Sequence, residues 1–333
     1  NKEESLFAKE MWDTYKLDTS LYTITDNIFE ADMVLAPYRH VWFLRHDRAL
    51  WEECVRTAKQ THLTLLVDGV GDVEYPINVS NAYVLRIGGY RFIPEKGRIQ
   101  IPPPSDDLLE RCAGGQLQIL KKREGGKPVI GFAGWAKLTP MQTIRTTARE
   151  LPIRLRGLFD DRYKAMQKGV VWRRRALDIL KHSSLVTLNI KERESFSGSV
   201  KTAQADMRRL RQELVHTVLE SDYALDVRGD ANDSTRLFEI LSLGRIPVAL
   251  DTERNFPFSD TVDYSAFALI VDFRDIERLP ERIADFHKNI SPERYEEMQK
   301  KAREVFVNHF RIDALMRHIA AELRARLLKS GVE

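Results

Sequence analysis

The stretch "SDYALDVRGDANDSTRLFEILSLGRIPVAL", residues 221–250, constrains the fold more than any other part of the chain. Its run from Tyr223 to Val227 is a short apolar segment of the kind that forms a strand buried on both faces, and Gly229 to Asp233 supplies the turn residues that end it. Ser234 or Asp233 then offers a helix N-cap, Leu237, Ile240, Leu241 and Leu243 recur at helical spacing, and Gly244 stops the helix. A second buried strand follows from Ile246 to Leu250. Strand, loop, helix of about ten residues and strand make a βαβ unit, so the strands are parallel and the loop lies at the carboxyl end of the sheet. Open α/β sheets bind their ligands at that end.

The same alternation runs along most of the chain. "ADMVLAPYRH" from Ala31 reads as a strand ending in a Pro-Tyr loop, "ALWEECVRTAKQT" as an amphipathic helix, and "LTLLVDGVGD" and "AYVLRIGGYR" as further strands. "IQIPPPSDD" breaks the rhythm, because prolines at 102–104 continue neither a central strand nor a helix. The inter-domain region is placed there, with the charged "KKREGGKP" (121–128) completing it. A second series starts at "PVIGFAGWA", continues through "LPIRLRGLF", the helix "VVWRRRALDILKHS", the strand "LVTLNI", the helix "MRRLRQELVHTVLES" and the βαβ unit, and ends with the strand "FALIVDF". The remaining "ERYEEMQKKAREVFVNHFRIDALMRHIAAELRARLL" has no proline or glycine and predicts a helical segment of about 40 residues. The expected fold is α/β: two Rossmann-like domains facing a central cleft. Residues 1–120 are expected to form the first domain, 121–285 the second, and 286–333 helices packing back toward the first.

Composition excludes several classes. Basic and acidic side chains number 52 and 49, and a net charge of +3 demands no polyanionic partner, so nucleic acid is not expected. Cys54 and Cys112 lack a second cysteine or a histidine at metal-ligand spacing, which argues against zinc and a disulfide framework. No segment reaches the roughly 18 apolar residues of a membrane span.

The helix after the glycine-containing loop is where chemistry is expected. Its first turn presents partnerless backbone N–H groups and a positive dipole end, to which Ser234 and Thr235 add hydroxyls and Arg228 and Arg236 positive charge, a set suited to a diphosphate. Glu239 follows Thr235 at i,i+4 and offers a carboxylate to the two hydroxyls of a ribose. The same spacing also fits a plain N-cap and an ion-paired helix glutamate. Gly131 and Gly134 suit either a tight turn or close backbone approach to phosphate, and Arg193 in "RESFSG" either a pyrophosphate contact or a surface loop. The three arginines of "WRRR" form a solvated helix face or counter an internal phosphate.

Taken together, Arg228-Gly229, "STRLFE" (234–239), "GRIPV" (244–248) and Pro257-Phe258 occur in the order found in the exostosin family of glycosyltransferases, which this chain resembles. Weaker likeness extends through "GFAGW", "GVVWRRRALDIL" and "RESFSG" to "EADMVLAPY" and "IQIPPP" in the first half. The resemblance implies a GT-B fold and inverting, metal-independent transfer of a sugar from a nucleotide diphosphate sugar, most plausibly UDP-linked, to an oligosaccharide or polysaccharide acceptor. It implies no cofactor beyond that donor. Many relatives carry a cysteine and an aromatic where this chain has Asp226 and "DANDST", a difference that bears on base or donor-sugar preference. The other reading of the same fold is a catalytically inactive glycan-binding or scaffold partner.

An inverting transfer needs a base opposite the departing diphosphate, expected from the first domain's strand exits. His40, Asp47, Asp68 and Asp72 sit in such loops; Asp68, closing a strong apolar strand, is the first choice and His40 the second. Asn232-Asp233-Ser234 is an N-glycosylation sequon in the donor loop, where a glycan would block the site. With two unpaired-looking cysteines, that favours a cytoplasmic location, membrane-peripheral if attached at all, over the Golgi lumen.

Overall fold

The computed structural model describes residues 18–123, 125–194 and 206–330. Among these, two parallel sheets carry the architecture. The first contains β1 (Met33–Leu35), β2 (Thr64–Asp68), β3 (Ala82–Arg86) and β4 (Arg98–Gln100) in the order 1-2-3-4. Helices α1 (His40–His46) and α2 (Arg48–Gln60) connect its first two strands. The second sheet has the order β6-β5-β7-β8-β9, from β5 (Val129–Trp135), β6 (Thr187–Arg193), β7 (Tyr223–Asp226), β8 (Ile246–Asp251) and β9 (Leu269–Asp272). Two parallel α/β lobes are therefore present, as the alternation of strands and helices in the sequence implies. Every residue of β7 and β8 is buried, as their near-continuous apolar runs require of a sheet covered on both faces.

The link between lobes begins with the prolines at 102–104. It continues into a short helix, α3 (Leu108–Cys112), whose Leu108 and Leu109 pack among Val215, Ile240 and Leu243 of the second lobe. Asp107, fully buried, caps α3 and pairs with Arg303 at 2.6 Å. The second lobe therefore takes hold of the chain well before residue 121, and the expected domain boundary shifts toward the prolines.

Three helices bridge β5 and β6: α4 (Pro140–Arg156), α5 (Asp161–Ala165) and α6 (Gly169–Lys181). The segment "LPIRLR" is the end of α4, with Pro152 tolerated inside it. Helix α7 (Met207–Leu219) leads to β7, and α8 (Thr235–Ser242) joins β7 to β8. Gly131 lies within β5, where an added Cβ would stand 2.5 Å from Ser221 Oγ; its role is close packing of the chain that leaves α7, and not a turn.

After α9 (Leu279–Asn289), the long C-terminal segment is two helices, α10 (Pro292–Val305) and α11 (Ile312–Ser330). A π-helical turn at Phe306–Phe310 and an extended Arg311 separate them. The break redirects the chain: Phe306 and Phe310 stay with α8 in the second lobe, while Ile312, Leu315 and Leu323 pack against Ile99 and Ile101 of the first.

Candidate functional site

Strand order locates the crevice. From β5 the chain turns to one side to reach β6, and from the adjacent β7 to the other side to reach β8, so the loops leaving β5 and β7 diverge. That switch point is where an open α/β sheet leaves room for a ligand. Trp135 forms one lip, and the 227–234 loop with the N-terminus of α8 forms the other. Arg173 of α6 fastens the two, donating from Nη1 to the Trp135 carbonyl at 3.1 Å and from Nη2 to the Arg228 carbonyl at 2.8 Å. Burial, with Arg236 close by, lowers its pKa to about 10. Only one of the three consecutive arginines turns inward. Its position four residues before Leu177 and seven before Leu180, on the apolar face of α6, was the available signal.

Ser234 takes the N-cap conformation, but its side chain makes no cap hydrogen bond, which leaves the hydroxyl for another partner. Thr235 is exposed. Arg236 lies against β5: its Nη2 is 3.6 Å from where a Cβ on Gly134 would stand, so Gly134 forms the wall beside the guanidinium within the strand. Buried Nη1 of Arg236 has no hydrogen-bond partner among the described residues, and burial depresses its pKa. The Glu239 carboxylate is nearly buried and held between Arg236 (3.5 Å) and Arg211 of α7 (3.8 Å). These are ion-pair separations longer than hydrogen bonds, so lone pairs on Glu239 remain for hydroxyl donors. Arg211 also approaches Asp106 of the linker at 3.5 Å.

Two of the residues expected to supply positive charge are committed elsewhere. Arg228 is buried and serves the fold: Nη1 donates to the Tyr90 hydroxyl of the first lobe and to Asn232 Oδ1, Nη2 to the Asp230 carbonyl, and Nε to the Gly229 carbonyl. Its role is to fix the loop and join the lobes, which corrects the expectation that it grips phosphate. Arg193 donates to the Leu210 carbonyl at 2.8 Å and to Glu213 at 2.9 Å, so it braces α7 against β6 and contributes charge from behind Arg236. The rest of "RESFSG" beyond Glu194 lies outside the described residues.

Around the loop, the lobes meet through polar contacts. Asn232 donates to the carbonyls of Gly89 and Thr252 at 2.9 and 3.0 Å, and Arg91 pairs with Asp251 at 2.9 Å. Gly88, with φ +77°, brings its backbone so near that a Cβ would stand 3.0 Å from the Asn232 nitrogen. The buried, doubly donating Asn232 amide has no room for a glycan. Asp226, at the position where relatives differ, pairs with buried Arg254 at 2.8 Å. Neighbouring Asp233 accepts from the Ser234 N–H, and burial pushes its carboxyl up to about 7.

The first lobe's candidates separate. Buried His40 packs on Trp51 and lines a cavity of about 670 Å³ whose walls are all first-lobe residues, among them Tyr75 and Val79. It does not face the second lobe, and burial lowers its pKa, so it is set aside as the base. Asp47 is the N-cap of α2. Asp68 accepts from the Val70 N–H at 2.9 Å and lies 3.5 Å from Arg39. Asp72, in the same loop, is exposed yet partly desolvated; that desolvation first, and then the charge of Asp230 on the loop of the opposite lobe, raises its carboxyl.

Residues 173–286 match the Exostosin GT47 domain. An Exostosin-1 homolog from Caenorhabditis elegans is 30% identical over 110 residues, 33% of this chain and 28% of the relative, so the likeness spans less than a third of that protein. Among solved structures, a glycosyltransferase from Rickettsia africae overlays with a TM-score of 0.40 at 13% identity, covering 90% of this chain and 78% of the other. A sucrose-phosphate synthase from Thermosynechococcus elongatus gives 0.35 at 13% identity, with 84% and 62% covered. Within the second lobe, the segment that runs from Arg173 through the 227–239 loop and helix is thus similar to an exostosin GT47 domain.

Proposed function

We propose that the chain is a glycosyltransferase that moves a sugar from a nucleotide diphosphate sugar, UDP-linked, to a glycan or polysaccharide acceptor with inversion and without an essential metal. The observation that carries this reading is the crevice at the α8 N-terminus. An uncommitted Ser234 hydroxyl, exposed Thr235 and the unsatisfied Nη1 of Arg236 meet there, with the Glu239 carboxylate one turn further along. A diphosphate across the helix end places the adjoining ribose beside Glu239. Guanidinium charge and N–H groups stabilise the departing nucleoside diphosphate.

Asp72 takes the part of base. Its carboxylate removes the acceptor hydroxyl proton as the oxygen bonds to the anomeric carbon, and the bond from that carbon to the diphosphate breaks on the opposite face. A carboxyl raised by its surroundings is suited to that transfer near neutral pH.

Calorimetry with UDP and a panel of other nucleoside diphosphates tests the donor site. Glu239→Ala loses hydrogen bonds to two ribose hydroxyls, each worth about 1.5–3 kcal/mol when one partner is charged, so UDP affinity falls on the order of 100-fold or more. Unchanged affinity in a variant with parental circular dichroism removes the assignment. Release of free sugar from a UDP-sugar panel separates an enzyme from an inactive binding partner.

A further inference from the structure

Helix α4 is built inside out. A capping box of Thr139 and Gln142 with Pro140 at the first position starts it firmly, and Arg154 and Arg156 suit its C-terminal dipole end. Yet the face turned to the protein is mostly polar: Thr143 and Thr146 are half-buried, with Ile153 the apolar exception, and buried Glu150 accepts from the Lys168 N–H. A cavity of about 640 Å³ lies between α4 and α6, lined by Thr147, Arg154, Arg174, Lys181 and Glu192 among others. No α4 side chain belongs to the apolar core clusters found among the described residues.

The outward face is the apolar one. Met141, Ile144, Ala148, Leu151 and Leu155 recur at alternating three- and four-residue steps, which aligns them on one side of the helix. Leu151 and Leu155 are about half exposed, and the stripe continues past the helix into Leu158 (73% exposed) and Phe159 (92%). Arg145, Arg149 and Arg156 flank one edge of the stripe and Arg154 the other, all exposed, while the helix's one carboxylate, Glu150, is buried on the far side. At 1.5 Å per residue the stripe from Met141 to Leu155 runs for about 21 Å.

We propose that this face docks the second lobe onto an anionic lipid surface. Charge selects the occupant: an apolar stripe edged by four exposed arginines, with no exposed carboxylate between residues 140 and 159, complements a negatively charged interface. A second copy would set the same arginines against one another. Phe159 and Leu158, beyond the helix end, extend the patch past the width of one helix-binding groove, and a lipid surface accepts the whole of it without shape matching. The proposal does not depend on the donor site.

Vesicle co-sedimentation tests it, using phosphatidylglycerol–phosphatidylcholine vesicles against pure phosphatidylcholine, at low and high salt. The protein is expected to pellet with the anionic vesicles at least tenfold more strongly than with neutral ones, and to be released by salt. Leu151→Glu with Leu155→Glu abolishes pelleting while melting temperature and UDP affinity stay parental, and Arg145→Glu with Arg149→Glu weakens it at least fivefold. Protein that remains in the supernatant with anionic vesicles overturns the proposal. So does a concentration-dependent dimer that the paired leucine variant cannot form, which assigns the face to a second copy.

Discussion

The two lips of the inter-lobe gap are built differently. On the second lobe, the 227–239 segment is mostly buried apart from Asp230 and Thr235 and is cross-braced, with Arg173, Arg228 and Asn232 tying its carbonyls and amides to three other segments. On the first lobe, the β2 exit carries Asp68 and Asp72 with one local turn hydrogen bond and an ion pair to the largely exposed Arg39. Under the proposed function, a nucleotide is the same molecule at every turnover, and a rigid, preorganised cradle loses little on binding it. The opposite lip would then admit a larger acceptor and hold one proton-transfer group.

The largest effect that would sharpen this contrast is catalytic. Asp72→Asn is expected to lower turnover by about 10²- to 10⁴-fold while UDP affinity stays parental, because general-base catalysis supplies about that factor. Asp68→Asn should change turnover by less than tenfold. In the parent the acid limb of the rate profile is expected above the ordinary aspartate range, since partial desolvation and Asp230 raise Asp72, and Asp230→Asn should move the limb to lower pH. If Asp68→Asn is the crippling change, the roles of the two carboxylates are exchanged.

Next in size is a structural break of the rigid lip. Arg173→Met leaves the carbonyls of Trp135 and Arg228 without their donor inside the crevice wall. Buried acceptors left unsatisfied cost about 1–3 kcal/mol each, so a loss of about 3 kcal/mol is expected in denaturant titration, with weakened UDP binding. Arg174→Met, a neighbour in the same helix, should change stability by about 0.5 kcal/mol or less, the scale of a surface substitution. Equal effects at the two positions would mean that the lips are not held by Arg173.

The same contrast decides what could be read from the sequence. Strands buried on both faces announce themselves as apolar runs, so β5, β7 and β8 and the α8 helix between the last two were legible, and the 234–239 motif pointed to the crevice. Arg228 was legible as a charge and not as a tie, because its acceptors are 63 and 138 positions away at Ala165 and Tyr90. The proposed base was not legible for a related reason: the sequence offered four titratable residues in loops of the first lobe, and only the charge of Asp230 from the other lobe sets Asp72 apart from them. The break at Phe306–Phe310 left no proline or glycine to mark it, since a π turn keeps the helical composition while changing the chain's direction.

The smallest effect probes the cost of the buried lip. Asp233 has one carboxylate oxygen on the Ser234 N–H and the other buried without a hydrogen bond, and burial outweighs the pull of Arg254 to raise its carboxyl to about 7. The folded protein therefore retains a proton that the unfolded chain releases at the ordinary aspartate value. A raised folded pKa means that stability falls as pH climbs from that value to about 7 and is level above it. Asp233→Asn removes the dependence. Between pH 5 and pH 8 its stability should improve relative to the parent by on the order of 2 kcal/mol, which thermal melts at the two pH values would read as several degrees. If the variant instead loses ground as pH rises, Asp233 is ionised and paired with Arg254 in the folded state, and the second-lobe lip is held by that charge pair as well as by its hydrogen bonds.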